Sequence, residues 1–273
     1  MNGSLQSNVH IAFRYDAQRQ QTVLSRRKAG GLCHLSKAYW DGQVLGLQLV
    51  NPTAGLFSGD ALHLQVDIGQ QSQVALTSPS ASRYHTMPEG RAHLTQRFEV
   101  GENGWLDFWP EIVIPQHDSD VCQSTEVDLH PGASMLFLDL AAPGRVAHGE
   151  RYQFRRLETR LAIRQDGQLL AKERCILEPV QSIWPLEVPG WELCYYGALW
   201  IAGPQAVQAI PHLQEARFGP EATCRHGASL VADQLGVLRI VANSSLALRK
   251  AADQARQHLQ HQEPRLTSHF RKL

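Results

Sequence analysis

A pattern of strand, glycine turn and strand recurs through the middle of this chain at nearly constant spacing. The turns contain Gly69, Gly101, Gly132 and Gly167, which gives a period of roughly 30 residues. Apolar and polar residues alternate before each turn, and a more apolar run follows it. One such unit cannot bury its own apolar face, whereas stacked units share a core. The spacing predicts an all-β (mainly β) fold built as a β-helix-like stack of strands; the alternative is a β-sandwich with loosely spaced hairpins.

Two or so short helices are expected besides the strands. One is a weak candidate over residues 205–217, because Pro211 interrupts it. The stronger one follows Ser244, which can cap a helix N-terminus, and its apolar residues recur at nearly 3.6-residue spacing up to Pro264. We expect a single domain over residues 1–273, with the C-terminal helix and a basic tail at about residues 244–273.

Composition excludes several classes of partner and site. Acidic and basic residues balance at 26 each, so nothing favours nucleic acid or an anionic membrane. No apolar run approaches the ~18 residues of a membrane span. Residues 1–10 lack a secretory-signal pattern, and a cytoplasmic location is therefore expected. The five cysteines are far apart and form neither a disulfide framework nor a zinc knuckle.

Residues 51–60, with the sequence NPTAGLFSGD, form a predicted tight corner between two strand-like segments. Gly55 and Gly59 allow left-handed backbone or a close approach that a side chain would block. Asp60 ends the corner. Either its carboxylate bonds to the backbone of its own turn, or it is held there for a function.

The chain has no sequence motif of a hydrolase, a metalloprotease or a nucleotide-binding protein. Its 13 histidines are scattered and do not form the four-ligand set that a structural metal requires. Acidic residues, in contrast, stand at strand ends or within apolar runs, where acids are rare unless they are paired or functional. These are Asp60, Glu111, Asp139, Glu150 and Glu173. Arg83 and Arg145 could pair with them in a structural salt-bridge network, which is the alternative to a functional role.

Seven short segments, taken in order, resemble the urease accessory protein UreD family, called UreH in some systems. They cover residues 51–60, 76–84, 106–111, 143–145, 148–150, 227–230 and 238–239. The resemblance spans about residues 30–260, and its specificity lies in the ordered set. The chain departs from the family pattern at Ala54 and Ser58, where glycine is usual, and at Arg83, where lysine is usual.

The resemblance implies a mostly β fold and a non-enzymatic scaffold and chaperone for nickel insertion into urease. It implies docking to a UreF-like protein, which recruits a UreG-like GTPase, and engagement of apo-urease. Nickel would be in transit through an internal polar passage, with no tightly bound cofactor. The resemblance places Asp60, Ser82, Arg83, Asp139 and Glu173 on that route, and the acid pattern adds Glu111 and Glu150.

Two other functions remain open at this point. One is a β-helix enzyme acting on polysaccharides, with Asp60 and Asp139 as an acid pair in an open groove. The other is a plain protein-binding module, for which Asp60 would be dispensable. Paired carboxyl groups in a groove favour the enzyme, whereas acids along an interior passage favour the nickel chaperone.

Overall fold

The structure, a computed structural model, describes residues 3–179, 191–192, 194–261 and 263–266, which contain nineteen strands and two α-helices. In chain order the strands are β1 (Gln6–Asp16), β2 (Gln21–Lys28), β3 (His34–Leu35), β4 (Tyr39–Asp41), β5 (Val44–Val50), β6 (Gly55–Leu56), β7 (Ala61–Ile68), β8 (Gln73–Thr77), β9 (Ser82–Tyr84), β10 (Ala92–Val100), β11 (Trp105–Trp109), β12 (Val113–Pro115), β13 (Asp120–Leu129), β14 (Ser134–Ala141), β15 (Arg156–Gln165), β16 (Gln168–Leu177), β17 (Tyr195–Ala202), β18 (Cys224–Ala232) and β19 (Leu235–Ala242). The helices are α1 (Pro204–Glu215) and α2 (Ser245–Gln260), and a 3-10 helix covers Val146–His148.

The strands form two walls around one interior. In the first wall β1, β7, β10, β13 and β15 are parallel, with β2 and β16 antiparallel at its edges. In the second wall β5, β8, β11 and β14 are parallel, and β17, β19 and β18 continue it antiparallel. The short strands β6, β9 and β12 form a third side. The predicted β-helix-like stack is confirmed as a β-solenoid of about four turns.

Three of the repeated glycines, Gly69, Gly101 and Gly132, lie where the chain passes from the first wall to the second. A Cβ at Gly69 would lie 2.8 Å from the Phe13 carbonyl oxygen, and one at Gly101 would lie 2.8 Å from the Gln70 nitrogen. No ordinary side chain fits at those distances from the backbone. The corners also bond to one another, since the Gly101 N–H donates to the Ile68 carbonyl. The glycines therefore let successive corners stack tightly.

The fourth glycine has a different role from the other three, which corrects the prediction of four equivalent units. Asp166 and Gly167 both have positive φ, at 51° and 78°. Two such residues form the turn that best suits a two-residue hairpin. The chain accordingly reverses there, and β16 pairs antiparallel with β15 and ends the first wall.

Apolar residues form two cores on opposite sides of the second wall. Inside the solenoid, the rings of Phe98, Phe108 and Phe137 pack with centroids 4.7 to 5.6 Å apart. Outside, α1 and α2 cover the other face of the second wall. Its central strands are thus buried on both faces, which explains the continuous apolar runs in the sequence.

Both predicted helices are confirmed. The Ser244 hydroxyl caps α2 by accepting from the Ala247 N–H at 3.2 Å, and α1 includes Pro211 in its interior. Arg256 of α2 donates two hydrogen bonds, of 2.9 and 2.5 Å, to the buried carboxylate of Asp107 on β11. Of the predicted tail, residues 262 and 267–273 lie outside the described residues. Neither described helix has the length and apolar character that crossing a membrane would require.

The predicted corner at residues 51–60 brings two backbones into close contact. The Arg83 N–H of β9 donates to the Ala54 carbonyl at 2.9 Å. A Cβ at Gly55 would overlap the Arg83 carbonyl oxygen, and Gly59 has a left-handed φ of 80°. Both glycines are therefore required by the geometry for the reasons the sequence indicated.

We expect Gly55→Ala to destabilise the protein by about 3 kcal/mol, because the new methyl group meets backbone that cannot move aside. Gly227→Ala on β18 is the matched control, since a Cβ there has no neighbour within 4 Å. Urea unfolding followed by circular dichroism measures both. Equal midpoints for the two variants would contradict this account of the corner.

Candidate functional site

Two adjoining cavities lie between the walls of the solenoid. The inner cavity has a volume of about 120 Å³ and the outer cavity about 500 Å³. Val113, Gln123, Phe137 and Asp139 border both. The side chain of Asp139 thus stands where the two cavities meet.

Four of the seven predicted site residues border these cavities. Ser82, Glu111 and Asp139 line the inner cavity, and Asp139 and Glu173 line the outer one. The other three, Asp60, Arg83 and Glu150, line neither. The structure therefore assembles part of the predicted set along one interior space.

The carboxylate of Asp139 has an unusual environment. It lies deep in the protein, and burial is the main reason its pKa is raised to about 6. The negative charge of Glu173 raises the pKa further, whereas a hydrogen bond from the Leu140 N–H opposes the shift. Within the part of the chain that the structure describes, no cation forms an ion pair with Asp139. It borders both cavities.

Glu173 is paired, unlike Asp139. The guanidinium of Arg239 on β19 donates to both of its carboxylate oxygens and also donates to the Tyr196 hydroxyl oxygen. Arg239 additionally lies over the Trp200 ring, 5.7 Å from its centroid. All four side chains border the outer cavity.

Glu111 connects the inner cavity to the outer helices. Its backbone N–H donates to the Ser78 hydroxyl at 2.8 Å, and its carboxylate pairs with Arg249 of α2 at 2.5 Å. The strand position of Ser82 on β9 turns its side chain toward the same cavity. Both residues therefore border the inner end of the interior, and the carboxylate of Glu111 is held by Arg249.

Asp60 is held by backbone rather than exposed to a cavity. Its side chain is 2% exposed, and its two oxygens accept from the Leu5 and Phe57 N–H groups, each at 2.8 Å. The bond from Phe57 lies within the corner, and the bond from Leu5 ties the N-terminal segment to it. In this conformation Asp60 organises the turn.

Arg83 and Glu150 lie on another side of the solenoid. Glu150 pairs with Arg145, with an Nε–Oε2 distance of 2.8 Å, and also accepts from the His117 N–H. The hydrogen bond from Arg145 is the main reason the pKa of Glu150 is lowered. Arg83 and Arg145 border a separate cavity of about 410 Å³, and Arg83 pairs with no acid among the described residues. Of the two arginines proposed as partners, only Arg145 takes that role.

Sequence reasoning missed the polar residues on the interior face and the cation beside Glu173. Gln96, Gln123 and Thr125 occupy inward positions of β10 and β13, where the neighbouring positions are apolar. Arg239 is the one charged residue in the apolar strand β19. The usable signal was the same as for the acids, a polar residue at a position where alternation predicts an apolar one.

The site offers oxygen ligands and no closed metal cage. No three His, Cys, Asp or Glu side chains of the described residues are placed to hold one ion together. Cys33 and Cys194 border the cavities, but burial raises the pKa of each thiol to about 11. Because the thiolate is the metal-binding form, neutral thiols are weak ligands. A cation in this interior would meet carboxylate, amide and hydroxyl oxygens in succession.

Comparison with known proteins gives a consistent family assignment. The family model described as UreD urease accessory protein matches residues 7–270. The chain is 38% identical to the urease accessory protein UreD of Opitutus terrae over 68% of this chain and 70% of that protein. It is 30% identical to UreD of Halalkalibacterium halodurans over 74% of each chain. It is 35% identical to UreH of Helicobacter acinonychis over 49% of this chain and 51% of that protein.

Asp139→Asn should stabilise the protein, and more so at higher pH. A raised folded-state pKa means that the folded chain binds more protons than the unfolded chain between about pH 4 and 6, so stability falls as pH rises through this range. The substitution removes that loss. We expect the gain in unfolding free energy to be about 1 kcal/mol larger at pH 8 than at pH 5. Urea unfolding at both pH values measures it, and a gain independent of pH would contradict the assignment.

Asp60→Ala should have the opposite effect, because it leaves the Leu5 and Phe57 N–H groups without their acceptor. We expect a loss of about 2 kcal/mol in unfolding free energy. Asp67→Asn on β7 is the control, since its carboxylate is partly exposed and outside both cavities. If Asp60→Ala unfolds at the same urea concentration as the control, the carboxylate does not support the turn.

Proposed function

The chain belongs to the UreD urease accessory protein family, and we propose that it is a non-enzymatic scaffold and chaperone that passes nickel through its interior to apo-urease. The observation that supports this most directly is the pair of adjoining cavities that meet at Asp139. Ser82 and Glu111 border one side of that junction, and Glu173 borders the other. Nickel is here the cargo and leaves with urease.

Weak, scattered ligands suit a passage better than a strong site. An ion that binds tightly at one point is not released, whereas several weak oxygen sites allow it to enter and leave. The unpaired carboxylate of Asp139 attracts a cation, and its neighbours supply single oxygens rather than a closed set. The neutral thiols along the interior favour transfer over trapping for the same reason.

The proposal includes three protein partners. A UreF-like protein docks to this chain and recruits a UreG-like GTPase, and the assembly engages apo-urease. The relatives named as urease accessory proteins support a role in this group. We place the complex in the cytoplasm, because all five cysteines are free, as is usual in a reducing compartment.

The geometry gives little support to a polysaccharide-active enzyme. Such enzymes place two carboxyl groups roughly 5 to 10 Å apart across an open substrate groove. The carboxylate of Asp60 is occupied by two backbone N–H groups and borders neither cavity that Asp139 lines. Asp139 itself faces an interior space between two walls.

The test is urease activation with the full set of accessory proteins and Asp139→Asn in this chain. The substitution keeps the shape of the side chain and removes its charge. We expect roughly tenfold less urease activity, the effect of losing about 1.4 kcal/mol of interaction with the cation, and a matching loss of nickel in the purified urease.

Asp67→Asn is the matched control, because it removes a carboxylate on the outer face of the first wall. It should leave activation unchanged. Co-purification of the partners with both variants separates a failure of transfer from a failure of assembly. Normal activation by Asp139→Asn would refute passage along these cavities.

A further inference from the structure

The ion pair between Glu173 and Arg239 joins the two walls of the solenoid. On the first wall, Glu173 stands in register with Leu161, at the edge strand β16. On the second wall, Asp139, Ala198 and Arg239 follow one another in register across β14, β17 and β19. The pair therefore spans the interior from wall to wall, and the side chain of Asp139 lies on the same interior side as Arg239.

The charges around the outer cavity do not favour a cation as they stand. Two carboxylates, Asp139 and Glu173, border it together with three guanidinium groups. Two of these, Arg160 and Arg174, bind the buried carboxylate of Glu158 at 2.7 to 2.9 Å. The third, Arg239, occupies Glu173 with both of its terminal nitrogens. A cation that binds both carboxylates would therefore compete with Arg239 for Glu173.

Arg239 has other partners that remain when it releases Glu173. The Tyr196 hydroxyl accepts one of its hydrogen bonds, and the face of the Trp200 ring lies 5.7 Å from its guanidinium carbon. Aromatic faces attract guanidinium groups in partly buried sites. The released side chain would thus keep favourable contacts on its own wall.

We propose that Arg239 is a built-in competitor of the transferred cation: it holds Glu173 in the empty protein and is displaced when a divalent cation binds between Asp139 and Glu173. This inference rests on the proposed function, because it concerns the same interior. A divalent cation is attracted by both carboxylates, and its double charge strengthens that attraction. A monovalent cation would only replace the single charge of Arg239 with another single charge, so it would gain less. Arg239 would therefore make the interior selective for divalent cations and keep it closed when empty.

The experiment is calorimetric titration of the full chain with nickel chloride. The affinity compared between variants is that of the binding component that Asp139→Asn removes. Arg239→Gln removes the competing charge, and we expect nickel affinity to rise about tenfold. Arg239→Lys replaces two parallel hydrogen bonds with one point contact, and its affinity should rise less, about threefold. In sodium chloride, nickel binding should weaken more steeply for Arg239→Gln than for the wild type.

Arg91→Gln is the matched control, because Arg91 makes a comparable two-bond pair with Asp120 outside both cavities. It should leave nickel affinity unchanged. In the Glu173→Gln background, Arg239→Gln should raise nickel affinity much less than it does in the wild type, because Arg239 acts mainly by occupying Glu173.

Unchanged or weaker affinity in Arg239→Gln would overturn the proposal, as would additive effects in the double variant. If Arg239→Gln does not fold, Arg239→Lys decides alone: a rise supports competition, and no rise refutes it. These titrations use no urease, so they are independent of the activation assay. Normal activation by Asp139→Asn refutes the passage, whereas dependence on Asp139 with no effect of Arg239 on affinity refutes only the competition.

Discussion

In-register pairing of parallel strands is the constraint on which the rest of the structure depends. Each strand of the first wall bonds to the strand of the previous coil at a fixed offset, so an inward position in one coil lies beside an inward position in the next. Two interior rows result: one changes from apolar to polar along the stack, and the other is polar in its two middle coils. They are Leu62, Leu94, Gln123 and Thr159, and Leu64, Gln96, Thr125 and Leu161.

These rows explain where polar side chains reach the interior. In the first coils large apolar side chains line the wall, including much of the inner cavity. Further along, the polar side chains bond to one another, as in the pair of Tyr84 and Gln123 at 2.8 Å and that of Thr125 and Gln96 at 3.1 Å. Satisfied polar groups can remain buried at little cost. The interior therefore changes from a packed core into a space that holds several polar side chains without any break in the strand ladder.

The sequence was sufficient to predict the type of fold, because a repeat of fixed length combined with alternation permits few architectures. The repeat spacing alone did not distinguish the fourth glycine from the other three. The distinguishing signal is the Asp166-Gly167 pair, which is typical of a two-residue hairpin. Among the candidate acids, the sequence indicated that Arg145 has an acidic partner, which is Glu150, but it did not indicate that Arg239 binds Glu173, because these two residues are 66 positions apart and meet only across the two walls.

Buried charges in this protein fall into two classes, which differ in whether a charged partner offsets the cost of burial. In the first class a charged partner matches the buried group: Asp107 binds Arg256 beneath α2. Burial opposes ionisation of Glu158, but hydrogen bonds from Arg174, Arg160 and Arg156 outweigh it and lower its pKa to about 2. Such pairs satisfy each charge where it lies and hold elements together. Asp139 belongs to the second class, since burial raises its pKa and no described cation pairs with it.

An unpaired carboxylate in this position lowers the stability of the fold, so stability does not account for it. A neutral side chain of the same shape would satisfy the strand and the packing equally well. What it would not supply is a negative charge at the junction of two cavities, the outer of which is also bordered by the ion pair of Glu173 and Arg239. Acids with a perturbed pKa in enclosed spaces mark functional sites for this reason. Asp139 both lowers the stability of the fold and supplies the charge that the proposed transport role requires.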